Sequence, residues 1–317
     1  MSNIPSFASN PIVFFLWRIL ILFGMVICFT LLASGVGLLL TKLFLNINLQ
    51  TSINDILNNP AANPSGVLAV KLNQILISVG TFIIPAYFFS KSLHQNPAHF
   101  LRILHPTKYY NYLFGIALII AAIPVSSWLL ELNNNIKFPA NFENWEHYLR
   151  NAEEVAKKQS EMFIRANTIG QLLFNLLVVA VVPAIVEEVF FRGCLQNFVR
   201  MCFYNLHVSV IFTALLFSAA HGEFYAFLPR FLFGIVLGYI FAYSGNIWVG
   251  VLAHFLNNAI ALIANYLLQK DPSIYFLRDE YTFPFYVTAL AILALVIMLY
   301  SMSKLRFNQI FINNIHE

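Results

Sequence analysis

The sequence predicts an all-α polytopic membrane protein with about eight transmembrane helices. The first observation is the composition: 59% of the 317 residues are hydrophobic and only 10% are charged, whereas soluble globular domains carry roughly 25% charged residues. The mean hydropathy of +0.73 agrees with it. The second observation is that the apolar residues come in runs of about 20, the length that an α-helix needs to cross roughly 30 Å of hydrocarbon.

About eight apolar segments are long enough, or nearly long enough, to cross a bilayer. They comprise residues 12–42, 67–90, 109–130, 168–190, 207–222, 229–244, 247–268 and 284–303. The first segment is far longer than the roughly 7–15-residue apolar core of a cleaved signal peptide, so we interpret it as a retained helix. Arg18 lies near one end of that helix, where its guanidinium can reach the interface.

The long segment between the third and fourth spans alternates apolar and charged residues at helical spacing. Its apolar positions are Trp145, Leu149, Ala152, Val155, Ala156, Met162 and Phe163. We expect an amphipathic helix lying on the outer membrane surface. Packing of this helix against the other helices is the competing interpretation.

Basic residues near the span ends fall on one side of the membrane if there are eight spans. They are Lys91, Arg102, Lys108, Arg192, Arg200, Lys304 and Arg306. Since such residues favour the cytoplasm, we expect both termini there, and the short loops suggest a bacterial cytoplasmic (inner) membrane. We interpret residues 1–317 as one membrane domain with four parts. These parts are N-terminal helices within 12–130, an extracytoplasmic loop 131–167, core helices within 168–268 and a last helix 284–303.

Two carboxylates and an arginine follow directly on an apolar run in "VEEVFFRG", residues 186–193. A charge at mid-bilayer costs about 2.5–3.5 kcal/mol on insertion scales, so such a residue is a candidate for function. Glu188 and Arg192 are four residues apart and share a helix face, which predicts an ion pair. Glu187 is rotated by about 100° and faces another neighbour. The competing interpretation is a structural ion pair at a helix end.

Two later segments place histidines among apolar residues. In "LLFSAAHGEF", Phe217 lies one turn before His221, and in "WVGVLAHFLNNAIAL" His254 and Asn258 share a helix face while Asn257 is turned away. Small residues on the helix between them allow close packing of neighbouring helices. They are Gly234, Gly238 and Ala242. Each histidine alone could simply bridge two helices, but an acid, two histidines and an asparagine on three core helices favour a common site.

A carboxylate and an imidazole around one point can activate water, since the carboxylate accepts the proton and nearby donors stabilise an oxyanion. This predicts a hydrolase for amides or esters, with a membrane-embedded or membrane-tethered peptide as the natural substrate. The patterns H-E-x-x-H, G-x-G-D and G-x-S-x-G, which mark other proteases, are absent from the sequence.

The two histidines are predicted to lie at different depths. The rise per residue of an α-helix places His221 roughly 21 Å and His254 about 10 Å from the starts of their spans. Convergence therefore requires the fifth span to begin deeper or to tilt.

Charge and cysteine content argue against a nucleic-acid-binding site and against a cysteine metal site. The net charge of +4 is modest and its basic residues are scattered, so we expect no nucleic-acid partner. Cys28, Cys194 and Cys202 lack metal-type spacing and are expected to be inert buried thiols.

The order E-E-x-x-x-R, F-x-x-x-H, H-x-x-x-N resembles the CPBP family of intramembrane proteases, which includes CAAX proteases and bacteriocin-processing enzymes and is also called the Abi family. The matching residues are Glu187, Glu188, Arg192, Phe217, His221, His254 and Asn258. The resemblance implies an eight-helix plan whose four central helices form the catalytic core. By the same resemblance, Glu187 activates water together with His221, Glu188 and Arg192 hold the first motif in shape, and His254 with Asn258 forms the oxyanion site.

The resemblance leaves metal dependence open. Glu187, His221 and His254 are acceptable ligands of a catalytic zinc with an open position, as in a metalloprotease, but a metal-free mechanism uses the same residues. Two other classes of protein compete with a protease. One is a non-catalytic family member that acts as a membrane binding scaffold, and the other is a proton- or cation-coupled transporter. A transporter predicts two related halves with broken helices, and the sequence shows no matching half.

Overall fold

A computed structural model describes residues 10–93, 96–278 and 281–316. Its helices are, in chain order, α1 (Pro11–Leu45), α2 (Leu49–Asn58), α3 (Pro64–Ser92), α4 (Pro97–Phe100), α5 (Tyr109–Asn134), α6 (Glu143–Ile164), α7 (Ile169–Phe203), α8 (Leu206–Ala220), α9 (Phe227–Ser244), α10 (Ile247–Lys270) and α11 (Phe285–His316). These described ranges contain no β-strand. The prediction of an all-α fold is therefore confirmed.

Seven helices of the described chain are long and apolar enough to cross a membrane, namely α1, α3, α5, α7, α9, α10 and α11. The fifth predicted segment, 207–222, corresponds to α8, which is apolar but has only 15 residues, fewer than the roughly 20 of a full crossing. Each predicted segment thus has a helix, and the prediction of a polytopic membrane protein is confirmed.

The end of α7 differs most from the prediction. This helix runs for 35 residues, from Ile169 to Phe203, whereas the apolar pattern predicts an end at residue 190. Arg192 and Arg200, which the predicted end at residue 190 would place after the span, therefore lie within the helix. Arg192 forms an ion pair with Glu188 inside the helix, and a paired charge does not need to mark the point where a helix leaves the membrane.

Capping residues set the boundaries of the helices that follow. Thr168 starts α7 by accepting a hydrogen bond from the Gln171 N–H, and Asn246 starts α10 by accepting one from the Trp248 N–H. Gly245 ends α9 with a φ of 68°, a left-handed conformation that glycine adopts without a Cβ clash. The connection between α9 and α10 is therefore only two residues long.

Some turns within these helices are π-helical. Within the described residues they are Val79–Ile83 in α3, and Leu176–Val181 and Glu188–Gln196 in α7. A π-helical turn bonds residue i to residue i+5 and recurs at functional sites. Two of these segments lie in α7, on either side of Glu187.

The described chain divides into two compact units. Unit 1 contains the residues up to Ile103 together with Ile185–Phe212, and unit 2 contains Leu104–Ala184 together with the residues from Thr213 onward. In unit 1, α1 packs along α3. The ring of Phe82 in α3 contacts the rings of Phe190 and Phe191, with centroid distances of 5.3 Å and 5.8 Å. These contacts fix the second half of α7 within unit 1.

Unit 2 is built around α5, which packs against α9, α10 and α11. Its apolar core comprises Leu118, Ile119, Ala122, Val125, Phe233, Val236, Leu237, Ile240, Val249, Ala253, Ala291, Leu295 and Met302. Gly234 of α9 lies directly against α8, since a Cβ added to it would be 2.9 Å from the Cα and Cβ of Ala214. This is the close helix approach that the stripe of small residues predicts.

Helix α6 is the amphipathic helix that the sequence predicts. Trp145, Tyr148 and Val155 are 62%, 65% and 55% exposed, so part of its apolar side is uncovered. Met162 near its end is buried, and α6 contacts α10 and the start of α7. The helix thus packs on the rest of unit 2 while leaving aromatic side chains exposed.

Candidate functional site

The first motif lies in the middle of α7, where an α-helical stretch ending at Glu187 continues into the π-helical segment Glu188–Gln196. The Arg192 Nη1 lies 2.9 Å from the Glu188 Oε1, and both side chains are 0% exposed. The structure thus contains the ion pair that the spacing predicts, but inside the helix and not at its end. Losing one partner would break an ion pair between two buried charged groups, which is costly.

Glu187 precedes this pair and is half-buried. Asn197 follows the π-helical segment and anchors it, since its Nδ2 donates to the Phe100 O at 2.8 Å and to the Gly193 O at 3.0 Å. Asn197 therefore connects the motif-bearing part of α7 to α4 within unit 1. The sequence pattern did not single out Asn197, because its partner Phe100 is 97 residues away.

His221 is the first residue after α8 and begins a short connection to α9, residues 221–226, which we call the His221 loop. Its Nδ1 lies 2.8 Å from the Phe217 O. Because a carbonyl oxygen only accepts, Nδ1 carries the hydrogen, and in the neutral ring Nε2 carries the lone pair. Nε2 is then the nitrogen that can accept a proton. Gly222, with a φ of 70°, turns the chain directly after this residue.

The phenyl ring of Phe217 contacts both histidines of unit 2. Its centroid lies 4.9 Å from that of His221 and 6.0 Å from that of His254, with the rings edge to face in both cases. His254 is buried and His221 is exposed. The rise per residue predicts different depths for the two histidines, but the structure brings both imidazoles to the same phenyl group.

Asn258 lies one helical turn after His254 and connects α10 to α7. Its Nδ2 donates to the Val179 O at 3.3 Å, in the π-helical segment Leu176–Val181. The neighbouring Asn257 contacts the same amide, since its Nδ2 donates to the Asn258 Oδ1 at 3.2 Å. The Asn258 amide is thus oriented by two polar contacts within unit 2.

The His221 loop is held by two side chains that the sequence analysis did not single out. The Ser218 Oγ donates to the Phe227 O at 2.7 Å. Asn133, at the end of α5, donates from Nδ2 to the Phe224 O at 3.0 Å, and its Oδ1 accepts from the Leu228 N–H at 2.9 Å. Asn133 is only 2% exposed. A buried amide that satisfies two backbone groups restricts the loop that starts at His221.

The described ranges contain no group of three or more His, Cys, Asp or Glu side chains that could hold a metal ion. The zinc ligand set that the sequence allows, Glu187 with His221 and His254, therefore has no geometric support and stays a prediction. The cysteines are only partly as expected. Cys194 is buried, Cys202 is half-buried, and Cys28 is exposed on α1.

The predicted site residues are thus shared between the two units. Unit 1 contains Glu187, Glu188 and Arg192, and it brings the last two together. Unit 2 contains the two histidines and Asn258, and it brings the histidines to one phenyl ring. Convergence of Glu187 with the histidines stays a prediction.

Comparison with known families relates the middle of the chain to one family model. Residues 169–260 match the family model described as type II CAAX prenyl endopeptidase Rce1-like. The matched region contains the complete set of motif residues from α7, α8 and α10. No curated protein and no solved structure matches the chain. The family match confirms the resemblance that the motifs predict.

Proposed function

We propose that the protein is an endopeptidase that hydrolyses peptide bonds in a membrane-buried site, because residues 169–260 match the family model described as type II CAAX prenyl endopeptidase Rce1-like. The observation that carries the proposal is the family match over 169–260, which includes every motif residue. The buried Glu188–Arg192 pair supports it, since a chain rarely places two full charges inside a membrane helix without a functional reason.

In the proposed mechanism Glu187 is the general base. Its carboxylate accepts a proton from water while the water oxygen attacks the carbonyl carbon of the scissile peptide bond. His221 orients the water through Nε2, the nitrogen left with a lone pair by the bond to the Phe217 carbonyl. The proton taken by Glu187 then passes to the amide nitrogen as the C–N bond breaks, so that one water yields a carboxylic acid end and an amine end.

His254 and Asn258 are proposed to stabilise the negative oxygen of the tetrahedral intermediate. Donors that are already oriented stabilise developing charge better than donors that must reorganise. The Asn258 amide is oriented by its contact with the Val179 carbonyl, and His254 is buried against the Phe217 ring. Glu188 and Arg192 are proposed to hold the helix turn that carries Glu187.

No step of this mechanism uses a metal ion. A dependence on zinc would be a separate proposal, and treatment of purified protein with phenanthroline followed by zinc or magnesium repletion tests it. We propose that the substrate is a membrane-embedded or membrane-tethered protein. A prenylated peptide ending in a CAAX sequence and its unprenylated counterpart are suitable first probes.

We also propose that the protein lies in a bacterial cytoplasmic membrane with both termini in the cytoplasm. The basic residues that support this orientation include Lys91, Arg102 and Lys108, between the second and third spans. Cysteine introduced at these positions should be labelled by a membrane-impermeant maleimide only after the cells are opened.

The central experiment compares new peptide termini in membranes that contain the wild type, Glu187→Gln or His221→Ala. Removal of a general acid or base typically lowers a rate by about 10²–10⁴-fold, so termini that appear with the wild type should be nearly absent with either variant. Glu143→Gln is the matched control, because this carboxylate lies on α6 and its side chain is 74% exposed. Wild-type termini that persist in folded Glu187→Gln protein would contradict the mechanism, and a wild type without any new termini would favour the binding scaffold.

A further inference from the structure

Helix α6 contacts the His221 loop through polar side chains. The Glu153 Oε2 accepts a hydrogen bond from the Tyr225 N–H at 3.3 Å. The Arg150 guanidinium carbon lies 4.3 Å from the centroid of the Tyr225 ring, within the range of a cation–π contact. Tyr225 itself is 2% exposed. Both the backbone and the side chain of this loop residue therefore contact α6.

The arginine in this contact is held in place by a second residue of α6. The Arg150 Nε and Nη2 donate to the Glu146 Oε1 at 2.9 Å and 2.8 Å. The other carboxylate oxygen of Glu146 accepts from the Phe138 N–H at 3.0 Å. The Phe138 N–H and then Arg150 hold the pKa of Glu146 below its ordinary value. A continuous chain of contacts thus runs from the segment before α6, through Glu146 and Arg150, to the loop.

The electrostatics of Glu153 also reflect its contact with the loop. Burial raises the pKa of Glu153, the Tyr225 N–H lowers it, and the nearby carboxylate of Glu223 raises it. Glu223 is in turn paired with Arg230, 2.7 Å away. The Glu154–Lys158 pair on the same helix is different, since both side chains are 65–70% exposed. Exposed pairs of that kind contribute little to structure, whereas Glu153 reaches a backbone group of the loop.

The exposed and the contacting side chains of α6 lie on different sides of the helix. Its aromatic residues Trp145 and Tyr148 are exposed, while its polar residues Glu146, Arg150 and Glu153 contact Phe138 and Tyr225 elsewhere in unit 2. In a water-soluble protein the apolar side of such a helix would cover the core. Here two polar residues of α6, Glu153 and Arg150, make specific contacts with Tyr225 of the His221 loop.

We propose that Glu153 and Arg150 are positioning residues for His221, and that α6 is the element that holds the His221 loop in the conformation needed for hydrolysis. The role of these two residues in hydrolysis rests on the proposed function. The contact between α6 and the His221 loop does not, because it is given by the hydrogen bond from the Tyr225 N–H to Glu153 and by the contact of Arg150 with the Tyr225 ring. Neither residue touches the substrate, and both act through Tyr225.

Three substitutions test the proposal. Glu153→Ala removes the acceptor for the Tyr225 N–H, whereas Glu153→Gln keeps a carbonyl oxygen in its place. Glu154→Ala is the matched control, because it removes an exposed carboxylate from the adjacent position of the same helix. Hydrogen–deuterium exchange of the segment 218–229 in protein reconstituted in nanodiscs reports on the loop without any need for activity.

We expect Glu153→Ala to raise the exchange of the loop about fivefold, the size of one hydrogen bond. Glu187-dependent cleavage should slow by a similar factor, through kcat and not KM. Glu153→Gln should restore both readouts to near the wild-type values, and Glu154→Ala should not change them. Unchanged loop exchange in Glu153→Ala would overturn the contact, and faster exchange with unchanged kcat would overturn the positioning role. A wild type without cleavage would instead overturn the proposed function, while the exchange data would still decide whether α6 holds the loop.

Discussion

Removing one partner of the buried Glu188–Arg192 pair should destabilise the protein far more than replacing both. The two side chains are 0% exposed and 2.9 Å apart, so either single substitution breaks an ion pair between two buried charged groups. Breaking such a pair costs about 3–5 kcal/mol. At about 1.4 kcal/mol per factor of ten, the folding equilibrium should fall by a hundredfold to several thousandfold for Glu188→Leu or Arg192→Met.

The double variant Glu188→Leu/Arg192→Met should lie within about 2 kcal/mol of the wild type, since apolar side chains of similar volume often replace a buried ion pair at little cost. A double-mutant cycle measured by reversible SDS unfolding in mixed micelles gives the coupling energy directly. The pair Glu154–Lys158 is the control, because it has the same spacing and a distance of 3.0 Å but is largely exposed. Its coupling should be below about 1 kcal/mol. A coupling near zero for the buried pair, or a double variant as unstable as the two singles combined, would refute the reasoning.

Three further outcomes follow from the packing and charges described above. Gly234→Ala should destabilise the protein by about 1–3 kcal/mol, because the new Cβ would lie 2.9 Å from the backbone of Ala214. Gly24→Ala is the control, since its new Cβ meets no atom within 4 Å, and it should be neutral in the same unfolding assay. Gly222→Ala places a side chain at a φ of 70° and should cost about 1–2 kcal/mol and slow cleavage, so equal activity and stability would contradict the assigned turn. The pKa of the folded Glu146 carboxyl is depressed, so this group stabilises the protein above its ordinary pKa of 4.5, and the stabilisation is lost as the pH falls through that value towards the folded pKa. Glu146→Gln should therefore reduce the fall of the melting temperature at acid pH. An unchanged fall in the variant would contradict this role of Glu146.

The helices could be predicted because a span of about 20 apolar residues is a strong signal. The predicted starts of α7 and α10 agree with the structure to within one residue, since Thr168 and Asn246 cap them. The end of α7 could not be predicted in this way. Arg192 looks like the end of a span when it is taken alone, but it is paired with Glu188 and the helix continues to Phe203.

The site was predictable to the extent that its contacts are local. Positions four residues apart gave the Glu188–Arg192 pair and the common face of His254 and Asn258. The contacts of Asn197 with Phe100 and of Asn133 with the His221 loop join residues 97 and 91 positions apart. Such contacts depend on how helices pack, and a single sequence carries no periodic signal for them.

The π-helical segments of α7 have a consequence for how this helix can change in evolution. Each hydrogen-bonded ring in them encloses one residue more than an α-helical ring, so the segment Glu188–Gln196 behaves as a built-in single-residue insertion. A relative that lost one residue there would regain a regular helix and keep its length almost unchanged, but the side chains before and after the deletion would rotate relative to each other. Glu187 and Asn197 lie before and after this segment. A gap of one residue in an alignment would therefore distinguish homologues that keep the π-helical segment, and with it the relative orientation of these two side chains, from homologues that have a regular α-helix there.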